Sequence, residues 1–224
     1  MLPDDEAGQF RILLTFSLPS IYPITDEHVS GIPHAEQVRR LVSGGARLIQ
    51  IREKHADSGY FYRAVVESVD IAHAAGVKII VNDRVDIALT AGADGVHLGQ
   101  DDVPPEMARR VLGKNAIVGF STHRPEEASD AVGLPVDYIA IGPIFATTTK
   151  DDPDPILGLK LLASAKAAVG DLPLVAIGGI NLRNVGSVLD NGADSAAMIS
   201  GLLSDSLEII DRMRGLSSLS LSGR

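Results

Sequence analysis

The sequence of 224 residues contains no cysteine and no tryptophan, and aromatic residues make up only 4% of it. Without cysteine there can be no disulfide, no thiolate metal site and no cysteine nucleophile, although the redox compartment stays open. Few aromatics also argue against a surface that stacks nucleic-acid bases. Basic residues are in deficit, with 20 Lys and Arg against 29 Asp and Glu, a formal net charge of −9. That balance disfavours a broad phosphate-backbone footprint, so any anion site must be a local cluster. No apolar run approaches the roughly 20 residues needed to cross a bilayer. The first residues include Asp4, Asp5 and Glu6 rather than a basic stretch, and the apolar segment from Ile12 to Ile21 is broken by Thr15, Ser17 and Pro19. These absences predict a cytoplasmic protein with no secretory signal, no membrane span and no nucleic-acid partner.

Hydrophobic residues nonetheless reach 45%, so the core must be built from Ile, Val, Leu and Ala, the residues that fill parallel barrels. From Pro19 onwards, short β-rich runs alternate with longer segments of helical period, the pattern of a parallel sheet with crossover helices. The runs centre on Ile21 to Thr25, Leu48 to Arg52, Lys78 to Val81, Gly95 to Leu98, Ala116 to Phe120, Tyr138 to Ile141, Leu174 to Ile177 and Ala196 to Ile199. Eight such runs predict an α/β chain folded as one (β/α)8 TIM barrel over residues 19–214. Residues 1–18 are then an N-terminal extension, and the Ser-, Gly- and Leu-rich residues 215–224 a disordered tail. A faint repeat marks several junctions: Gly45-Ala46 before the second run, Gly92-Ala93-Asp94 before the fourth and Gly192-Ala193-Asp194 before the eighth. Glycine ends a helix there and the next strand begins at once.

In such a barrel the chemistry sits at the carboxyl ends of the strands. After the second run come Gln50-Ile51-Arg52-Glu53-Lys54. With a period of two, Gln50, Arg52 and Lys54 share one face while Ile51 takes the other, so two cations converge if that face lines the mouth. An ordinary charged strand end is the alternative. The third run ends in Asn82-Asp83 and the fourth in Gly99-Gln100-Asp101-Asp102. Helix capping explains either acid alone, whereas two on neighbouring strands can share one hard cation such as Mg²⁺. The fifth run leads into Ser121-Thr122-His123, the sixth into Thr147-Thr148-Thr149-Lys150, the seventh into Gly178-Gly179 and the eighth into Ile199-Ser200-Gly201. Threonine hydroxyls, one lysine and closely approaching backbone amides suit phosphate groups, and the acidic, proline-punctuated stretch Asp151 to Pro155 has the composition of a surface loop. His55, His73 and His97 lack metal-ligand spacing and read as surface or packing residues, whereas His123 lies beside the mouth.

Read in order, these segments, together with Tyr22-Pro23-Ile24-Thr25-Asp26 and Ile177-Gly178-Gly179-Ile180, resemble the thiamine phosphate synthase family over Pro19 to Leu203. The resemblance implies condensation of hydroxymethylpyrimidine diphosphate with thiazole phosphate, or its carboxylated form, giving thiamine phosphate and diphosphate. It further implies that Gln50, Ile51, Arg52, Glu53, Lys54, Asn82, Ser121 and Lys150 surround the pyrimidine diphosphate, with Arg52, Lys54 and Lys150 acting on the leaving group. Asp83 and Asp102 would hold Mg²⁺, and Thr147, Thr148, Thr149, Gly179, Ile199 and Ser200 would surround the thiazole phosphate. The partners so implied are small molecules, with a homo-oligomer left open. Ala146, where the family often has proline, and Pro23, inside the first run, depart from the pattern. A thiazole tautomerase of the same lineage, using His123 as base, and a non-catalytic phosphate sensor are the other readings. Neither needs Lys54, Asp83, Asp102 and Lys150 together.

Overall fold

Eight short apolar runs become eight parallel strands that close into a ring, each hydrogen-bonded to the next and the last to the first. The computed structural model describes residues 17–147 and 155–221, with side chains as far as residue 218. The strands are β1 (Ile21–Thr25), β2 (Leu48–Ile51), β3 (Lys78–Asn82), β4 (Gly95–Leu98), β5 (Ile117–Thr122), β6 (Tyr138–Ile141), β7 (Leu174–Ala176) and β8 (Ser195–Met198). Around them lie α1 (Glu27–Ser30), α2 (His34–Ser43), α3 (Ser58–Ala74), α4 (Val85–Thr90), α5 (Pro105–Leu112), α6 (Pro125–Asp130), α7 (Gly158–Val169), α8 (Val185–Asp190), α9 (Ser200–Leu203) and α10 (Ile209–Leu221). The fold is therefore a (β/α)8 TIM barrel. Among the described residues no helix is long and apolar enough to cross a membrane.

Strand parity divides the apolar residues into two cores. Ile49 and Ile51 of β2, Ile79 and Val81 of β3, and Val96 and Leu98 of β4 face outward and pack with the helices. Leu48, Ile80, Ile117, Val175 and Ala197 face inward and fill the bore with Tyr22 and Tyr138. Leu48 is fully buried, so Leu48→Ala would cost about 2–5 kcal/mol.

The Gly-Ala-Asp junctions acquire a physical reason. The Asp94 carboxylate accepts the Ile79 N–H of the preceding strand at 2.9 Å and pairs with Lys78 at 2.9 Å. Asp194 does the same with the Leu174 N–H at 2.8 Å and Lys166 at 2.7 Å. Asp137, which lacks the Gly-Ala prefix, repeats the arrangement with the Val118 N–H at 2.7 Å and Arg109 at 2.7 Å. Each carboxylate thus clips an even-numbered strand to the odd-numbered one before it. Arg47 stands at the corresponding place before β2.

The C-terminal reading needs correction. Residues 215–221 continue α10 and do not form a disordered tail; residues 222–224 lie outside the described residues. The reason is an apolar stripe, Ile209, Met213 and Leu216 at i, i+4 and i+7, each at most 2% exposed. It packs on the turn after α2, where a side chain on Gly44 would stand 2.5 Å from the Met213 Cβ. Serine and glycine in that segment mask the stripe when composition alone is weighed.

Candidate active site

The alternation in β2 carries the polar residues of its end into the mouth. Gln50 is 2% exposed, and its Nε2 donates to the Tyr22 hydroxyl inside the bore at 3.1 Å. Ile51 lies on the opposite face, fully buried among outward-facing residues, so its side chain is not in the mouth. Arg52 Nη1 donates to Asp26 Oδ2 at 2.6 Å. Asp26, at the end of β1, also accepts the Val29 N–H, so one buried carboxylate caps α1 and aims the guanidinium. Glu53 turns aside: Oε1 accepts the His55 and Ala56 N–H groups at 2.6 and 3.1 Å, and Oε2 meets His34 Nε2 at 3.3 Å. Burial alone would raise its pKa, but these donors hold it below the usual carboxylate range. Glu53 therefore shapes the turn that presents Arg52 and Lys54. A pocket of about 640 Å³ opens here, lined by Asp26, Arg52, Glu53, Lys54, His55 and Tyr60 among others.

The two acids expected at the metal site come together. Lys54 Nζ pairs with Asp83 Oδ2, and the Asp83 carboxylate stands beside that of Asp102. Burial, and then the negative charge of Asp83, push the Asp102 carboxyl above its ordinary range, against the pull of the Gly99 N–H that it accepts at 2.7 Å. Two carboxylates that resist ionising together are what a bound cation relieves. Neither acid caps a helix through its side chain at α4 or α5, so the capping alternative falls away. Asp83 is the only non-glycine residue with positive φ among the described residues, at 62°, a conformation aspartate tolerates better than most residues. Next to it, the Asn82 Nδ2 is buried and has no hydrogen-bond partner among the described residues. An unmet buried donor costs about 1–3 kcal/mol, so Asn82 has a hydrogen to offer an acceptor from outside the chain.

Ligand atoms of Glu27, His34 and Glu53 also lie within 4.8 Å of one another. These atoms are already committed. Tyr60 donates to both Glu27 oxygens at 2.8 Å, the His34 N–H donates to Glu27 Oε1 at 2.7 Å, and Thr25 Oγ1 lies 2.8 Å from His34 Nδ1. The cluster ties the loops after β1 and β2 together.

Across the mouth, Ser121 Oγ lies 2.8 Å from His97 Nε2, and His123 Nδ1 lies 3.0 Å from the Gly142 carbonyl. Gly178 and Gly179 have φ of 100° and 63°, and a side chain on Gly179 would stand 2.4 Å from the Ala146 carbonyl oxygen. The tight turn is thus also a packing contact that seats the loop after β6 against the loop after β7. Thr147 on that loop is half-buried, Ile199 is half-buried and Ser200 is exposed at the start of α9. Thr148, Thr149, Lys150 and the acidic stretch as far as Asp154 lie outside the described residues.

A sequence model of the family described as thiamine monophosphate synthase matches residues 21–202, most of the chain. The chain belongs to that family. It is 46% identical over 185 residues to the thiamine-phosphate synthase of Methanocella arvoryzae, covering 82% of this chain and 87% of that one. With the thiamine-phosphate synthase of Syntrophomonas wolfei the identity is 44% over 185 residues, covering 82% and 88%. The solved thiamine phosphate pyrophosphorylase of Pyrococcus furiosus superposes with a TM-score of 0.81 at 34% identity, over 90% of this chain and 95% of that one. Within this family site, sequence reasoning gave no role to Asp26 and read His97 as surface or packing. Both sit at inward positions, as Tyr22 and Ile24 do on β1 and as Gly95 does on β4. The parity rule applied to β2 would have turned both inward, though not shown their partners.

Proposed function

We propose that this protein is a Mg²⁺-dependent thiamine-phosphate synthase, a transferase that joins the methylene carbon of 4-amino-2-methyl-5-hydroxymethylpyrimidine diphosphate to the ring nitrogen of a thiazole phosphate and releases diphosphate. The observation that carries this reading is the meeting of Asp83 and Asp102 beside Lys54, one strand away from Arg52. Heterolysis of the methylene C–O bond leaves the electron pair on diphosphate, and the thiazole nitrogen supplies its lone pair to the carbon, so no protein base is required. Arg52, preset by Asp26, grips diphosphate oxygens through its planar fork, and Lys54 adds a point charge. Asn82 donates its free Nδ2 hydrogens to the same substrate, with Gln50 and Ser121 at its borders. Mg²⁺ held by Asp83 and Asp102 would supply positive charge to the leaving oxygens as that bond breaks. Thr147, Gly179, Ile199 and Ser200 surround the thiazole phosphate; through the family resemblance Thr148 and Thr149 join them, and Lys150 joins Arg52 and Lys54 at the pyrimidine diphosphate.

Purified protein incubated with both substrates should release thiamine phosphate and diphosphate with Mg²⁺ and almost none after chelation. No product at saturating Mg²⁺ would sink the reading, and isomerisation of a thiazole precursor alone would assign the barrel to the tautomerase branch.

A further inference from the structure

The bore beneath the mouth is not purely apolar. Gln50 Nε2 lies 3.1 Å from the Tyr22 hydroxyl, Tyr22 lies 2.9 Å from the Tyr138 hydroxyl, Tyr138 lies 3.0 Å from His97 Nδ1, and His97 Nε2 lies 2.8 Å from Ser121 Oγ. Five side chains from β1, β2, β4, β5 and β6 thus form one continuous file across the barrel. The rings support it: Tyr22 and Tyr138 meet edge to face at 5.9 Å, and His97 stacks on Tyr138 at 5.5 Å. Space has been cleared for it as well. A side chain on Gly119 would stand 2.1 Å from the Tyr138 ring and 2.5 Å from His97 Nδ1, so no residue but glycine fits that place in β5.

Such a file has a direction. An amide nitrogen can only donate, so Gln50 gives its hydrogen to Tyr22. Tyr22 must then donate to Tyr138, Tyr138 to His97 Nδ1, and the remaining ring hydrogen on Nε2 goes to Ser121. Each of these contacts joins two uncharged partners inside the bore, so the order of donors is kept along the whole file. Turning the Gln50 amide over would reverse every step, leaving Ser121 as a donor into the bore and offering only lone pairs to the mouth. An anionic substrate calls for the first arrangement.

We propose that this one-way file, running from Gln50 through Tyr22, Tyr138 and His97, holds His97 as its Nε2–H tautomer and thereby leaves the Ser121 hydroxyl hydrogen free to be donated to a diphosphate oxygen of the substrate. His97, Tyr138 and Tyr22 are positioning residues that act through Ser121. The proposal rests on the synthase reading for the identity of the acceptor, but the tautomer does not depend on turnover.

Two measurements test it. In the full chain labelled with ¹⁵N-histidine, long-range proton–nitrogen spectra should show His97 with a protonated Nε2 and an acceptor Nδ1, with its signals assigned by their change in Tyr138→Phe. A protonated Nδ1 in the parent protein would overturn the file's direction, whether or not the protein makes thiamine phosphate. In steady-state kinetics, Ser121→Ala should lower kcat about 10²-fold, as loss of a donor to developing charge does. Tyr138→Phe should lower kcat about tenfold with little change in KM. In the Ser121→Ala background, Tyr138→Phe should cost nothing further. Equal losses from Tyr138→Phe in both backgrounds would mean that the tyrosine serves only packing, and would refute action through Ser121.

Discussion

Replacing Gly179 by alanine tests whether the contact between the β6 and β7 loops places the thiazole phosphate. At φ 63° the added Cβ is strained, costing about 1–2 kcal/mol, which in a domain of this size lowers the melting temperature by about 2–8 °C. The larger effect is local. The Cβ would lie 2.4 Å from the Ala146 carbonyl oxygen and 2.8 Å from the Phe145 Cβ, whereas ordinary contact begins at 3.4 Å. The obstacle is mostly backbone and cannot swing aside, so the loop carrying Thr147 must retreat by roughly 1 Å, a displacement that typically costs about 10²-fold when it misplaces a bound reactant. Steady-state kinetics with each substrate varied in turn should therefore show kcat/KM for thiazole phosphate falling about 100-fold. The KM for the pyrimidine diphosphate, bound mainly at the ends of β2 to β5, should change less than about threefold. Gly186→Ala is the control: it lies exposed in α8 with nothing near its Cβ position, so stability should hold or rise by about 0.4–1 kcal/mol with turnover unchanged. If Gly179→Ala melts lower yet keeps the parental kcat/KM for thiazole phosphate, the loop contact serves folding alone and the assignment of that subsite is wrong.

Asp83→Asn and Asp102→Asn should each lower Mg²⁺-supported turnover by roughly 10²-fold or more; Asp102→Asn should also raise the melting temperature measured in chelator, because it relieves the repulsion from Asp83, and should lose the stabilisation that Mg²⁺ gives the parent. Arg52→Lys should lose about tenfold in kcat although charge is retained, since an ammonium cannot satisfy Asp26 and a diphosphate in the same fork geometry; parental kinetics would place the diphosphate elsewhere. Asp94 is held below the ordinary carboxylate range: burial opposes this, but the Ile79 N–H, Lys78 and His73 outweigh it. Its contribution to stability is therefore present at neutral pH and lost as pH falls through the carboxylate range, so urea midpoints between pH 7 and 3 should fall more steeply for the parent than for Asp94→Asn. Parallel curves would remove Asp94 from the account of acid stability.

The barrel was legible because each strand is a short, mostly buried run set off by turn residues, and the observed strands agree with those runs to within two residues at either end. The period-two argument put Gln50 and Arg52 on one face and Ile51 on the other, and the hydrogen bond from Gln50 to Tyr22 marks the first as the inner face. Other features needed the third dimension. That Asp26 holds Arg52 depends on β1 and β2 being neighbours in register, Ile24 beside Gln50, which no local pattern encodes. His97 has no metal-ligand spacing, and its place in the polar file emerges only when β4, β5 and β6 align and Gly119 leaves room for it. Glu53 sits between two site cations in sequence, yet its carboxylate is taken up by His34 and the turn that follows. The helical run past Gly215 was hidden because Leu216, its one buried apolar anchor, is set among Gly215, Ser217 and Ser218.

The carboxylates of Asp94, Asp137 and Asp194 all work at the amino ends of the strands, the far rim from Arg52, Asp83 and Ser121. Closure of the ring and the chemistry of the mouth are thus entrusted to opposite ends of the same strands. A chain divided in this way can exchange one set of mouth loops for another, by descent or by grafting, while the three clips go on holding the strands in pairs. What such a scaffold keeps fixed is its pairing of strands, and what it leaves open is the mouth.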